Sequence, residues 1–219
     1  MIPGTAIRGD AERETVHRLE AFSDIVIGFC IAEMGINLLI PRTVAELPHV
    51  ALGTAGFAVS FVLIAIVWWI HHRIFRSFFV LDQLNVVLNF AMLGALVLMV
   101  YFQQVSLHFV ATDQDPGPAF QAWLLCYGAV YALNAAMLWI GVRARWRTAT
   151  DSDLRWGLSR AVLASVGTLV FLSYGGIIEL RHSVRSLFVV PVIVIVLVRV
   201  VAPRIIADYV TRRESSTTA

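Results

Sequence analysis

Six long apolar stretches, at roughly 22–40, 51–70, 85–103, 119–141, 157–178 and 186–202, constrain this chain more than any other feature. Each is close to the length an α-helix needs to cross a hydrocarbon core of ~30 Å at a rise of ~1.5 Å per residue. In such a core the backbone N–H and C=O groups have no water to bond, so runs of this length are read as helices that satisfy their own backbone. Composition agrees: 58% of the 219 residues are hydrophobic and only 15% are charged, unlike a soluble domain. The expected fold is all-α, a six-helix integral membrane bundle forming one domain over residues 1–219, since the connections are short. The ends, before about Glu14 and after about Tyr209, are expected to lack order. The N-terminal segment mixes acidic and basic groups, and no small-residue cleavage site follows the first apolar run, so no cleaved signal peptide is expected.

Charge placement predicts the orientation. All 17 basic residues are arginine. Arg8, Arg13 and Arg18 precede the first span, and Arg73 and Arg76 follow the second. Arg143, Arg145, Arg147 and Arg155 follow the fourth, and Arg204, Arg212 and Arg213 lie in the tail. These all fall on one side of a six-span layout, against Arg42, Arg181 and Arg185 on the other. The positive-inside rule puts both termini in the cytoplasm. The net charge of +2 is too small to argue for a nucleic-acid partner. Cys30 and Cys126 both sit in apolar runs and read as free buried thiols.

The first span is the least apolar. Ser23 and Asp24 stand at its entrance, Glu33 and Asn37 further in, with glycines at 28 and 35. Polar groups in lipid are costly, so this helix is expected to face protein or water, and to line a pore. At 100° per residue Ile25, Phe29, Ile36 and Ile40 form one bulky apolar stripe. Ala21, Asp24, Gly28, Ala32 and Gly35 form a second, small-residue stripe suited to a close helix crossing. Glu33, with Asn37 a turn on, gives a polar edge. The bulky face could equally meet lipid.

The second span ends Trp68-Trp69-Ile70-His71-His72-Arg73. One reading is an interfacial belt of tryptophans followed by cations. The other has an imidazole reaching the Asp24 end of the first helix. Adjacent histidines point about 100° apart, so a shared metal ion is not expected. Asn85, Asn89 and Asn134 read as interhelical hydrogen-bonding amides. Tyr174-Gly175-Gly176 permits a close approach or a local break, Pro191 a kink, and Arg199 can snorkel to the interface.

Arg18-Leu-Glu-Ala-Phe22-Ser23-Asp24 resembles the Arg-x-x-x-Phe-Ser-Asp signature that opens the first span of the transmembrane protein 175 family. Those are potassium-permeable channels of endosomes and lysosomes, with prokaryotic relatives. Trp68-x-x-His71-His72, followed by Arg73 and Phe75, is similar to the same family's second span, and Leu88-Asn89 to its third. The resemblance implies a homotetramer of single six-span chains with four first helices around a central pore. It also implies that Arg18, Asp24 and a histidine at the end of the second span tie the bundle together. The family's pore-facing positions fall here on Phe29, Ala32 and Ile36. Phe29 replaces an aliphatic residue, Ala32 a threonine, and Glu33 stands where an apolar residue is usual.

The function expected is a cation channel, potassium-permeable, in a prokaryotic plasma membrane, with membrane lipid around it and no cofactor. The alternative is a secondary transporter or proton-coupled carrier with Glu33 as its titrating group, although no inverted repeat or pair of broken helices is evident. An enzyme is not expected. Glu33, His71 and His72 form no His-Glu-x-x-His pattern for activating water on zinc.

Overall fold

The computed structural model describes residues 9–176 except positions 39, 42 and 113, and it is helical throughout. Five helices follow one another: α1 (Asp10–Ile36), α2 (Leu47–Ser77), α3 (Gln83–Ala111), α4 (Gly117–Ala144) and α5 (Asp151–Gly176), with a short 3-10 turn at Val44–Glu46 before α2. Four segments are long and apolar enough to cross a membrane: Gly53–Ser77, Gln83–Ala111, Gly117–Ala144 and Asp151–Gly176. They correspond to the second to fifth expected spans. α1 is equally long, but Glu20, Asp24 and Glu33 set it apart from those four. The expected sixth span at 186–202, with Pro191, Arg199 and the tail beyond Tyr209, lies outside the described residues.

Two boundaries differ from expectation. α1 begins at Asp10, so the segment just before Glu14 is helical rather than unordered; Asp10 and Glu12 in the first turn suit the positive end of the helix dipole. At the other end α1 stops at Ile36, short of Pro41. The Asn37 backbone N–H closes the last turn on the Glu33 carbonyl at 3.3 Å, and its side-chain Nδ2 adds a second bond to the same oxygen at 2.8 Å. Ile40 therefore lies beyond the helix, and the stripe expected to run from Ile25 to Ile40 ends at Ile36.

The tightest packing joins α3, α4 and α5. α4 carries an aromatic ladder, in which Trp123 stacks on Tyr127 at 5.6 Å and Phe171 of α5 meets Tyr127 edge-on at 4.6 Å. Phe78, just past the end of α2, is buried between α4 and α5. Glycines make room for it. A Cβ at Gly141 would lie 2.7 Å from Phe78 Cβ, and one at Gly157 would lie 2.6 Å from Phe78 Cζ. Arg73 adds a cation–π contact, its guanidinium 4.7 Å from the centre of the Trp156 ring. At Gly175 the expectation of a close approach is the one realised, since a Cβ there would meet Leu125 Cδ2 at 2.9 Å while the helix continues to Gly176.

Two amides do other work than expected. Asn85 donates its backbone N–H to the Asp82 carboxylate at 2.7 Å, so the pair caps the start of α3 instead of bridging helices. Asn134 donates to the Val130 carbonyl of its own helix at 2.9 Å.

Gly141→Ala drives a methyl group into Phe78 and is expected to cost about 1–3 kcal/mol, the usual range for overpacking. Gly94→Ala, where an added Cβ meets nothing within 4 Å, serves as the control. Thermal midpoints of the two purified variants in detergent check this; equal midpoints would mean the Phe78 socket yields easily.

Candidate functional site

α1 has two faces, and one of them is clamped. Val16, Ser23, Ile27, Cys30 and Met34 recur every three, four or seven residues and form its buried face. Ser23 is fully buried, and its hydroxyl donates its one proton to the Leu19 carbonyl at 2.9 Å. It can then only accept from Asn89, whose Nδ2 lies 3.2 Å away on α3. That fixes the Asn89 amide, so its Oδ1 accepts from His71 Nε2 on α2 at 2.8 Å. His71 must carry its proton on Nε2. The result is a directed chain, His71 to Asn89 to Ser23 to the Leu19 carbonyl, joining three helices through groups fully shielded from water. His71 Nδ1 is left buried without a partner.

One step around α1, Glu20 and Asp24 are four residues apart and share a face. They meet Trp68 and His72 of α2, also four apart, in antiparallel order. Trp68 donates its indole N–H to Asp24 Oδ1 at 2.8 Å, and His72 Nδ1 lies 2.9 Å from Glu20 Oε1. The Trp68 ring stacks over His72, 5.7 Å between centroids, which ties the two pairs together.

This arrangement assigns the expected structural residues as follows. Ser23, Asp24, Trp68, His71, His72 and Asn89 come together. Phe22 lies beside them, edge-on to Phe90 of α3 at 5.7 Å. Arg18 is exposed and stands outside the hydrogen-bonded set. Among the described residues no imidazole bonds to Asp24; the Trp68 indole takes that carboxylate, and His72 turns to Glu20. The two histidines point to different partners, and among the described residues no group of three or more His, Cys, Asp or Glu converges. Glu20 does not stand out in the sequence by itself, although its spacing from Asp24 against that of Trp68 from His72 carries the signal.

Among the described residues nothing covers the opposite face of α1. Ile25, Phe29 and Ile36 are 57%, 70% and 79% exposed, and Ala32 and Glu33 beside them are exposed as well. Among the described residues the small-residue stripe forms no packing seam. Gly28 is exposed and an added Cβ there would meet nothing within 4 Å, while Gly35 has only the edge of the Phe57 ring at 3.8 Å. Glu33 accepts from Asn37 Nδ2 at 3.0 Å, and the same Nδ2 reaches Gln104 Oε1 of α3 at 3.3 Å. Next to it Gln103 of α3 bonds Ser60 and the Gly56 carbonyl of α2. Two neighbouring glutamines thus tie α3 to the far ends of α1 and α2. Nothing in the sequence pattern marks either of them.

Comparison with known proteins bears on the same helices. Residues 18–99 match the family model described as "Endosomal/lysosomal potassium channel TMEM175". A protein of Marivirga tractuosa named "Potassium channel" is 28% identical over 99 residues, 45% of this chain and 38% of the relative's length. The match thus spans well under half of that relative. The crystal structure of a variant of the potassium channel MtTMEM175, in complex with a nanobody–MBP fusion, has the same fold. It superposes with a TM-score of 0.58 at 17% identity, covering 95% of this chain and 97% of that one.

Asn89→Leu strips partners from both His71 and Ser23, and stranding buried polar groups costs about 1–3 kcal/mol. Its thermal midpoint in detergent should fall well below that of Arg18→Ala, which removes an exposed side chain and should stay within ~0.5 kcal/mol of the parent. The reverse order would show that Arg18, rather than the amide chain, holds the three helices.

Proposed function

We propose that this chain, whose residues 18–99 match the TMEM175 family model, is a potassium-permeable cation channel in which four copies set their first helices around one pore. The observation that carries the reading is the two-faced α1. One face is fixed to α2 and α3 by buried hydrogen bonds, and the other presents Ile25, Phe29 and Ile36, each more than half exposed, with no other described residue packed over them. A helix held this firmly on one side, with a bulky apolar row on the other, suits the wall of a conduit whose remaining walls come from further copies.

In that assembly Phe29 and Ile36, seven residues apart, form successive collars about 10 Å apart along the axis. Rings of apolar side chains narrow an ion path and gate it by dewetting. Ala32 leaves a wider segment between them. Ile40, past the helix end, stands at the mouth. The Glu33 carboxylate, oriented by Asn37, adds a ring of negative charge that draws cations and repels anions. Sites such as the Glu20–His72 and Asp24–Trp68 pairs hold the helices in place and do not touch the ion. With six spans and the arginine distribution, both termini face the cytoplasm of a prokaryotic plasma membrane.

Purified protein in liposomes should pass potassium down its gradient under a fixed voltage with no coupled substrate. Transport that requires a proton gradient and is abolished by Glu33→Gln would instead mean a carrier. Phe29→Ala should widen and wet the first collar and raise single-channel conductance several-fold, whereas Leu169→Ala on the exposed side of α5 should not. Equal currents in both variants would remove Phe29 from the pore.

A further inference from the structure

Charge gathers where α4 turns into α5. From Arg143 to Arg160 the sequence holds five arginines against two acids, Asp151 and Asp153. The end of α4 and residues 145–150 fold as one tight corner. The Arg145 N–H bonds the Gly141 carbonyl at 3.0 Å, and the Ala149 N–H bonds the Arg145 carbonyl at 2.9 Å. Bonds of this helical spacing put residues four apart on one side of the chain, so Arg143 and Arg147 share a side, and both are exposed. Trp146 and Ala149 are partly buried and pack against the core, which holds the corner to the bundle.

The acids at this end of α2 to α5 are already engaged. Asp153 accepts from the Thr150 hydroxyl at 2.8 Å, Asp82 accepts from the Asn85 N–H, and Asp151 has a partner as well. Among the described residues neither Arg143 nor Arg147 meets a carboxylate; the ion pair formed there is Glu20–His72 of α1 and α2. Beyond residue 176 the sequence holds six arginines and three acids, so it brings no surplus of negative charge. The membrane-length part of α4 ends at Ala144 and that of α5 begins at Asp151. The corner between them therefore stands where a bilayer passes from hydrocarbon to headgroups, the depth that also suits the Trp146 indole.

We propose that the α4–α5 corner binds the phosphate of an anionic phospholipid through Arg143 and Arg147. The guanidinium fork matches phosphate oxygens in both geometry and charge. Two cations on one side, with no carboxylate at them, favour a headgroup of net negative charge over a zwitterionic one, whose ammonium they repel. Arg76 and Arg155, exposed at the same end of α2 and α5, add to the positive potential. An acidic peptide or a nucleic acid needs a surface standing clear of the bilayer, and this corner lies at its boundary. Arginines that only orient the chain during insertion would hold no particular headgroup, and that contrast is what the test reads. The site stands apart from α1, and binding here does not depend on conduction.

The test is native mass spectrometry of the full chain released from a neutral detergent, titrated with dioleoylphosphatidylglycerol or with dioleoylphosphatidylcholine. The anionic lipid should fill a saturable site at least several-fold more tightly than the zwitterionic one. A basic side chain at an anionic surface is worth about five-fold in affinity, so Arg143→Gln combined with Arg147→Gln should weaken the anionic lipid about 10- to 30-fold. Arg13→Gln, which removes an exposed arginine set among Asp10, Glu12 and Glu14, should leave that affinity unchanged. Equal binding of the two lipids, undiminished binding in the double variant, an equal loss in Arg13→Gln, or displacement by inorganic phosphate as effective as by the lipid would overturn the proposal. If the double variant does not fold, Thr148→Glu decides by the same titration. It sets a carboxylate on the exposed corner and leaves both arginines in place, so affinity should fall several-fold, and unchanged affinity would overturn the assignment.

Discussion

A single amide, that of Asn89, sets the relation of the first three helices. Ser23 has one hydroxyl proton and gives it to its own helix, so it can only receive from Asn89. Asn89 in turn can only receive from His71. Each step leaves no choice of donor, and all three residues are fully buried. In an apolar surrounding an interhelical bond of this kind contributes modestly, on average about 0.6 kcal/mol in a membrane protein. Breaking it costs more than it contributes, because the groups left behind cannot find water. The chain therefore acts more as a specifier of register than as a store of stability.

Register matters because α1 has two faces. Rotating the helix by one residue, about 100°, would carry Ser23 away from Asn89 and bring Phe29 or Ile36 inward. The Glu20–His72 and Asp24–Trp68 pairs lock the same rotation from a neighbouring angle. Elsewhere the molecule is built differently. Glycines at 141 and 157 admit Phe78 between α4 and α5, and that half holds together mainly by close packing, supplemented by hydrogen bonds from Gln121 to the Gly175 carbonyl and from Trp139 to Ser165. The division suits a scaffold of α3, α4 and α5 that carries a more polar pair, α1 and α2.

Apolar run length is enough to locate α2 to α5, because a membrane helix must satisfy its own backbone over a fixed thickness, but the helices run past the apolar stretches, α2 to Ser77 and α3 to Ala111. Helical periodicity likewise groups Ile25, Phe29 and Ile36, and the structure leaves that whole row exposed. What periodicity does not provide is the partner of each polar group. Asn85 and Asn89 share a helix face, yet Asp82 claims the first as a cap while the second reaches across two helices. A carboxylate beside histidines suggests an imidazole at Asp24, but the indole of Trp68 is the donor in reach. Ile40 groups with the helix by spacing alone, because nothing in an apolar run signals that α1 ends at Ile36 with Asn37 as its cap.

The central claim is that the bare face of α1 lines a water-filled ion path. A cysteine at position 29, introduced as Phe29→Cys in a Cys126→Ala chain, tests it most directly, since Cys30 is buried and shielded. Potassium current through a planar bilayer would be followed while a cationic methanethiosulfonate reagent is added to the bath. If position 29 faces the pore, current falls steeply on modification, and the fall is slowed by high potassium. If mass spectrometry shows position 29 fully modified while the current is unchanged, the exposed face of α1 does not line the pore.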